Sequence, residues 1–133
     1  MKEFELEIIT PSKVAYKGKV NAVTVPGTLG SFQILFNHAP LLSSFEIGRI
    51  KVKQGETTSE FTTGGGTVEV LDNRVLILAD SFESKEEIDV ERAKSAYQRA
   101  KERLSSHSKD IDISRAEAAL ARAINRLKFT GNL

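Results

Sequence analysis

Apolar and polar residues alternate through the first part of the chain, then change to a helical beat. Phe4, Leu6 and Ile8 alternate with glutamates, as in a strand buried on one face. Thr10-Pro11-Ser12 breaks the run, and Val14 and Tyr16 lead into Val20-Asn21-Ala22-Val23-Thr24-Val25 before the Pro26-Gly27 turn signal. Short apolar runs follow at 32–36, 45–47, 49–52, 59–61, 67–70 and 74–78. Turn residues separate them at Gln54-Gly55, Gly64-Gly65-Gly66 and Asp72-Asn73. Many short strands with no intervening helical period predict an antiparallel sandwich or flattened barrel for residues 1–84.

From there the period lengthens. Ile88-Asp89-Val90-Glu91-Arg92-Ala93 and its partial copy Ile111-Asp112-Ile113-Ser114-Arg115-Ala116 each head a helical segment. Ala93, Ala96, Tyr97, Ala100 and Leu104 recur at steps of three and four, as do Ala116, Ala119, Leu120, Ala123, Ile124 and Leu127. Ser105-Ser106-His107-Ser108-Lys109 carries no apolar residue and separates the two. The pattern predicts helices over about 87–105 and 112–128, packed as an antiparallel hairpin in residues 85–133. Asp89 is placed to cap the first helix, in competition with an earlier start at Ser84-x-x-Glu87. Burying alanine instead of leucine along the seam forfeits roughly 1–2 kcal/mol per site, so the hairpin is weakly cored. The fold class expected is α+β, a sandwich followed by a hairpin.

Composition narrows the function. With no cysteine there is no disulfide framework and no Cys-based zinc site. The N-terminal alternation of charge excludes a secretory apolar core there, and no apolar run approaches the ~20 residues that span a bilayer. A soluble intracellular protein is expected, held at a membrane only through partners. Net charge is −2 through Glu83 and +3 from Ser84 onward, too little to demand nucleic acid.

Candidate chemistry is sparse. His38, in Phe36-Asn37-His38-Ala39-Pro40, has only His107 as a fellow histidine and reads as structural. Gly64-Gly65-Gly66 precedes a strand, whereas a phosphate cradle opens a helix, so it reads as a tight turn or a close passage of backbones. The arginines stand out. Arg92, Arg99 and Arg103 fall at steps of seven and four, and Arg115, Arg122 and Arg126 repeat those steps. They form either a solvated face paired with Glu91, Glu102 and Glu117, or an anion site, because guanidinium forks suit phosphate oxygens.

As a whole the chain resembles the ε subunit of bacterial F-type ATP synthases, a family related to chloroplast ε and mitochondrial δ subunits. The resemblance is carried by Leu6-Glu7-Ile8-Ile9-Thr10-Pro11 with Val14-Ala15-Tyr16, and by Ile34-Leu35 with His38-Ala39-Pro40-Leu41-Leu42. Gly65-Gly66 with Val68-Glu69-Val70 and Val75-Leu76-Ile77-Leu78-Ala79-Asp80 adds to it, as do Ile88-Asp89-x-x-Arg92-Ala93 and the run from Arg115 to Ala123. The chain departs at Gln33 and Phe36, where the family usually has Gly and Pro around the Ile-Leu pair, and at Thr67, usually large and apolar. The resemblance implies a sandwich of about ten strands, residues 1–84, binding the γ subunit and the c-ring. It implies a mobile regulatory hairpin, residues 85–133, that reaches the catalytic α/β hexamer when extended and restrains ATP hydrolysis. It further implies a non-catalytic rotor subunit without a cofactor, on the cytoplasmic side of the inner (plasma) membrane. ATP is implied as a regulatory ligand, at Glu83, Ile88, Asp89, Arg92, Ala93, Arg99, Arg122 and Arg126. The alternative from another class is a free-standing sandwich module for a ligand or nucleic acid, with a helical appendage.

Overall fold

The computed structural model describes residues 2–133, which divide into two compact units, one ending at Ser84 and one beginning at Lys85. The first unit holds strands β1 (Phe4–Ile9), β2 (Val14–Val20), β3 (Ala22–Gly27), β4 (Gly30–Leu35), β5 (Leu41–Gln54), β6 (Thr57–Leu71), β7 (Arg74–Ala79) and β8 (Phe82–Glu83). They pair in the order β2-β1-β7-β6-β5-β3-β4, with β8 against β6. The period-two pattern decides the faces. Phe4, Leu6 and Ile8 are buried and join Val20, Val23, Ile34, Ile50, Val68 and Ile77 in one core. Phe61 stacks on Phe82 with ring centroids 4.2 Å apart.

One expectation needs correction. The sheet is not wholly antiparallel, because β1 and β7 run parallel, with Leu6 opposite Val75 and Ile8 opposite Ile77. Short turns dictate antiparallel pairing only between strands adjacent in sequence. The whole intervening chain forms the connection from β1 to β7. The strands number eight among the described residues, close to the ten or so implied. The runs around Phe45 and Ile50 are one strand of 14 residues, and those around Phe61 and Val68 one of 15. The second half of β5 lies between β3 and β6, while β6 pairs with β8 early and with β7 late. Each long strand therefore serves both layers of the sandwich.

The glycine run sits inside β6 and is no turn. A Cβ on Gly66 would fall into the Leu78 carbonyl, and one on Gly65 would come within 3.1 Å of the Phe45 carbonyl oxygen, with φ there at +99°. Close passage of backbones is what the run provides. Beside it, the buried hydroxyls of Thr62 and Thr63 meet the Glu83 carbonyl and the Gly65 N–H at 3.4 and 3.3 Å. The departure at Gln33 merely continues β4 opposite Thr24, and Phe36 lies under the Lys2 ammonium, 5.1 Å from the ring centroid.

The second unit holds a single 3-10 turn, Lys85–Glu87, then α1 (Val90–Ser105) and α2 (Ile113–Phe129), which pack on each other. The first helix starts at Asp89 and not at Ser84. Asp89 is held extended (φ −82°, ψ 99°) while its carboxylate accepts the Arg92 N–H. Ala93 and Ala100 are buried on α1, and Ala116, Ala123 and Leu127 on α2. No helix of the described residues is long and apolar enough to cross a membrane.

Candidate functional site

The repeated six-residue stretch divides its labour by position. In the first copy Ile88 precedes the cap and is 7 % exposed, and Ala93, the fourth helical residue, is 4 % exposed. That spacing is a hydrophobic staple, which fixes the angle at which chain enters helix. Asp89 is the cap, its Oδ1 accepting the Arg92 N–H at 3.1 Å. Asp112 does the same for the Arg115 N–H at 3.0 Å, with Ala116 buried in turn.

Arginine is the one residue of the motif that the helix start does not explain. It stands at the third helical position, where the positive end of the dipole disfavours a cation by about 0.3–1 kcal/mol. Asp89 does not offset this with an ion pair, because it takes the backbone amide of Arg92 and not the guanidinium. A cation kept at an unfavourable position points to a role outside helix formation. The sequence alone missed this division, although the cap and staple spacings were present in it.

The remaining residues divide by burial and partner. Arg92 and Arg99 are exposed on α1, Arg122 and Arg126 half-buried on α2. Arg92, Arg99 and Arg103 each stand one residue, about 100° of helical turn, before the inward positions Ala93, Ala100 and Leu104. They therefore share one flank of the seam. Arg115, Arg122 and Arg126 stand likewise before Ala116, Ala123 and Leu127. Glu83 belongs to the first unit, half-buried at the end of β8.

Two of the three carboxylates nominated to neutralise these arginines are engaged elsewhere. Glu91 pairs with Lys94 at 3.7 Å, and Glu102 accepts from the Gln98 amide at 3.3 Å. Among the described residues no ion pair holds Arg92, Arg99, Arg103, Arg115 or Arg122. Unpaired guanidiniums from two packed helices can bind polyanions, each offering charge and paired donors.

The sandwich offers less. An open hollow of about 900 Å³ runs over β1, β2, β6 and β7, but four of its charges pair, Arg74 with Glu5 at 3.5 Å and Lys17 with Glu7 at 3.8 Å. His38 Nδ1 lies 2.7 Å from the Ala39 carbonyl oxygen, a turn contact. Burial pushes the Tyr16 phenol up, a consequence of packing in β2. Every described phenylalanine and tyrosine is buried or half-buried, so no exposed aromatic platform exists for bases to stack on.

The two units correspond to two family models. Residues 3–85 match the β-sandwich domain of the ATP synthase delta/epsilon chain, and residues 86–131 its long α-helix domain. The chain belongs to the ATP synthase delta/epsilon family. An ATP synthase epsilon chain from Pelotomaculum thermopropionicum is 48 % identical over 95 % of this chain and 94 % of its own length. One from Desulforamulus reducens is 44 % identical over 92 % and 93 %. The fold is also similar to a chain in the Euglena gracilis mitochondrial ATP synthase, seen by electron microscopy as an OSCP/F1/c-ring assembly. There the TM-score is 0.79 at 22 % identity, covering 92 % of this chain and 78 % of that one. Membership makes this an epsilon-type subunit, not a self-contained enzyme.

Proposed function

We infer that this chain is a rotor subunit of an F-type, proton-translocating ATP synthase, placed in the central stalk. The observation that carries it is the match of both units, in order, to the two domains of one subunit family. The sandwich docks on the γ subunit and the c-ring, and through them stays at the cytoplasmic face of the inner (plasma) membrane. The hairpin is regulatory. Closed, it takes up ATP: Arg92 and Arg99 from α1 with Arg122 and Arg126 from α2 surround the phosphates. The backbone at Ile88 and Asp89, beside Ala93, lies at the base. Extended, it reaches the α/β hexamer and restrains hydrolysis, the same guanidiniums then meeting acidic partner surface.

What supports the regulatory reading is the pairing of a weak alanine seam with arginines along its flank, of which Arg92, Arg99, Arg103, Arg115 and Arg122 are held by no ion pair among the described residues. Two arrangements of such a hairpin differ by a few kcal/mol, and a ligand held by only one shifts the balance by its differential affinity. A complex assembled with a chain ending at Ser84 tests this. It should retain γ, sustain coupled ATP synthesis and hydrolyse ATP faster than the complex with the full chain. Failure to assemble would make the hairpin structural and sink the regulatory role. A chain that never co-purifies with γ would return the free-standing sandwich module to consideration.

A further inference from the structure

The internal repeat runs much further than its six-residue heads. At a constant offset of 23, Ile88, Asp89, Arg92, Ala93, Ala96, Arg99, Ala100, Arg103 and Leu104 recur as Ile111, Asp112, Arg115, Ala116, Ala119, Arg122, Ala123, Arg126 and Leu127. The structure keeps the equivalence. Both caps have the same backbone (φ −82°, ψ 99° and φ −76°, ψ 100°), and both take the amide of the third helical residue. The equivalence stops before the far ends, where α2 runs one residue longer than α1 and caps with Thr130, offset by 24 from Ser106. The buried alanines are equivalent as well. In sequence, N-caps and buried alanines the hairpin is thus a pseudo-two-fold pair of like helices, although Arg122 and Arg126 are half-buried where their mates Arg99 and Arg103 are exposed.

Symmetry of this kind has a consequence for the arginines. A two-fold axis perpendicular to the plane of an antiparallel pair exchanges the helices and leaves each face where it was. All six arginines therefore fall on one face. Their levels follow from the 1.5 Å rise: Arg92 and Arg126 at one end, Arg103 and Arg115 about 16 Å away, Arg99 and Arg122 between. The set assigned to ATP takes one end and the middle. Its two-fold image takes the middle and the other end.

We propose that Arg103 and Arg115, with Arg99 and Arg122, form a second oligophosphate site, quasi-equivalent to the first. The site consists of guanidiniums and not of the start of α2, whose third amide is already taken by Asp112. Neither Arg103 nor Arg115 is held by an ion pair among the described residues. The ligand recognised is a short phosphate chain, since Ile111 is preceded by the exposed polar turn 105–110, which offers nothing to favour a base. Because the middle arginines serve both ends, a second anion finds them already engaged and binds about tenfold more weakly than the first.

The proposal rests on these arginines being anion ligands at all, and its test separates the two ideas. The full-length chain is titrated calorimetrically with inorganic tripolyphosphate, as wild type, as Arg103→Ala/Arg115→Ala and as Arg92→Ala/Arg126→Ala. Thermal melts confirm that each variant is folded. Two equivalents in the wild type, the second about tenfold weaker, and one in each double variant support the second site. One equivalent in the wild type, unaffected by Arg103→Ala/Arg115→Ala, removes it and leaves the first. Loss of all binding in both double variants shows a single site spanning the face, and overturns it too. No binding by the wild type ends both readings.

Discussion

Replacing Arg92 by alanine separates binding from stability in a way few surface substitutions do. Arg92 is exposed, carries no ion pair among the described residues, and stands third in α1 against the positive end of the dipole. Its removal deletes nothing that holds the hairpin together. Relief of the dipole clash contributes about 0.3–1 kcal/mol in favour of the variant. The Asp89 cap persists, because its donor is the backbone amide that alanine retains. Loss of one charge-assisted bond to phosphate costs about 1.5–3 kcal/mol, roughly ten- to a hundredfold in Kd. Isothermal titration of full-length Arg92→Ala with ATP, beside a thermal melt, should show weaker binding with a Tm unchanged or raised. Arg115→Ala should leave ATP binding much closer to wild type. A lowered Tm with unaltered affinity would refute the reasoning, since Arg92 would then be structural. Equal losses at Arg92 and Arg115 would show that the wrong copy of the repeat carries the nucleotide.

Asp89→Asn should keep both helix stability and ATP affinity, because asparagine caps as well as aspartate, whereas Asp89→Ala should destabilise the hairpin by about 1 kcal/mol. Loss of ATP binding in Asp89→Asn alone would assign the carboxylate charge to the ligand. Gly66→Ala should destabilise the sandwich by about 3 kcal/mol or prevent its folding, because the new methyl meets the Leu78 carbonyl inside a paired strand. An unchanged denaturation midpoint for that variant would mean that β6 and β7 are not in this register. A chain ending at Ser84 should give a folded circular dichroism spectrum nearly free of helix, and an unfolded spectrum would mean that the two parts share one core.

Faces and caps were the most legible features. Alternation placed Phe4, Leu6 and Ile8 inside, and the helical steps placed Ala93, Ala100, Ala116 and Ala123. Local chemistry settles such things, so the residues report them directly. Partners distant in the chain were not legible. The parallel pairing of β1 with β7 joins strands that no turn connects, and no pattern within either strand encodes the direction of the other. The glycine run was half legible for a related reason. Of the two readings, tight turn or close passage of backbones, the second holds: Gly65 and Gly66 are demanded by the carbonyls of Phe45 and Leu78, distant in sequence, and not by a local reversal of chain. At the arginines, the sequence supplied their spacing but left open whether carboxylates neutralise them. Only side-chain placement shows Glu91 turned to Lys94 and Glu102 to Gln98.

The alanine seam and the arginine flank make sense as one energetic arrangement. Four buried alanines where leucines would fit forgo about 4–8 kcal/mol in total, at roughly 1–2 kcal/mol each. A ligand present at a hundred times its Kd, bound only by the closed hairpin, adds about 2.7 kcal/mol to that state. Against a leucine seam such an increment would change little, since the closed form would dominate with or without it. Against an alanine seam it would be comparable with the few kcal/mol proposed between arrangements, so that a ligand on the flank could decide which one is populated. Guanidiniums suit that task better than ammonium groups, because their charge stays fixed over the whole physiological pH range. On the reading proposed above, the closed form would respond to phosphate concentration and not to pH. Arginines that lay on one helix only would bind the anion equally well in either arrangement and shift nothing. Their distribution over α1 and α2 is what would couple the proposed binding to closure.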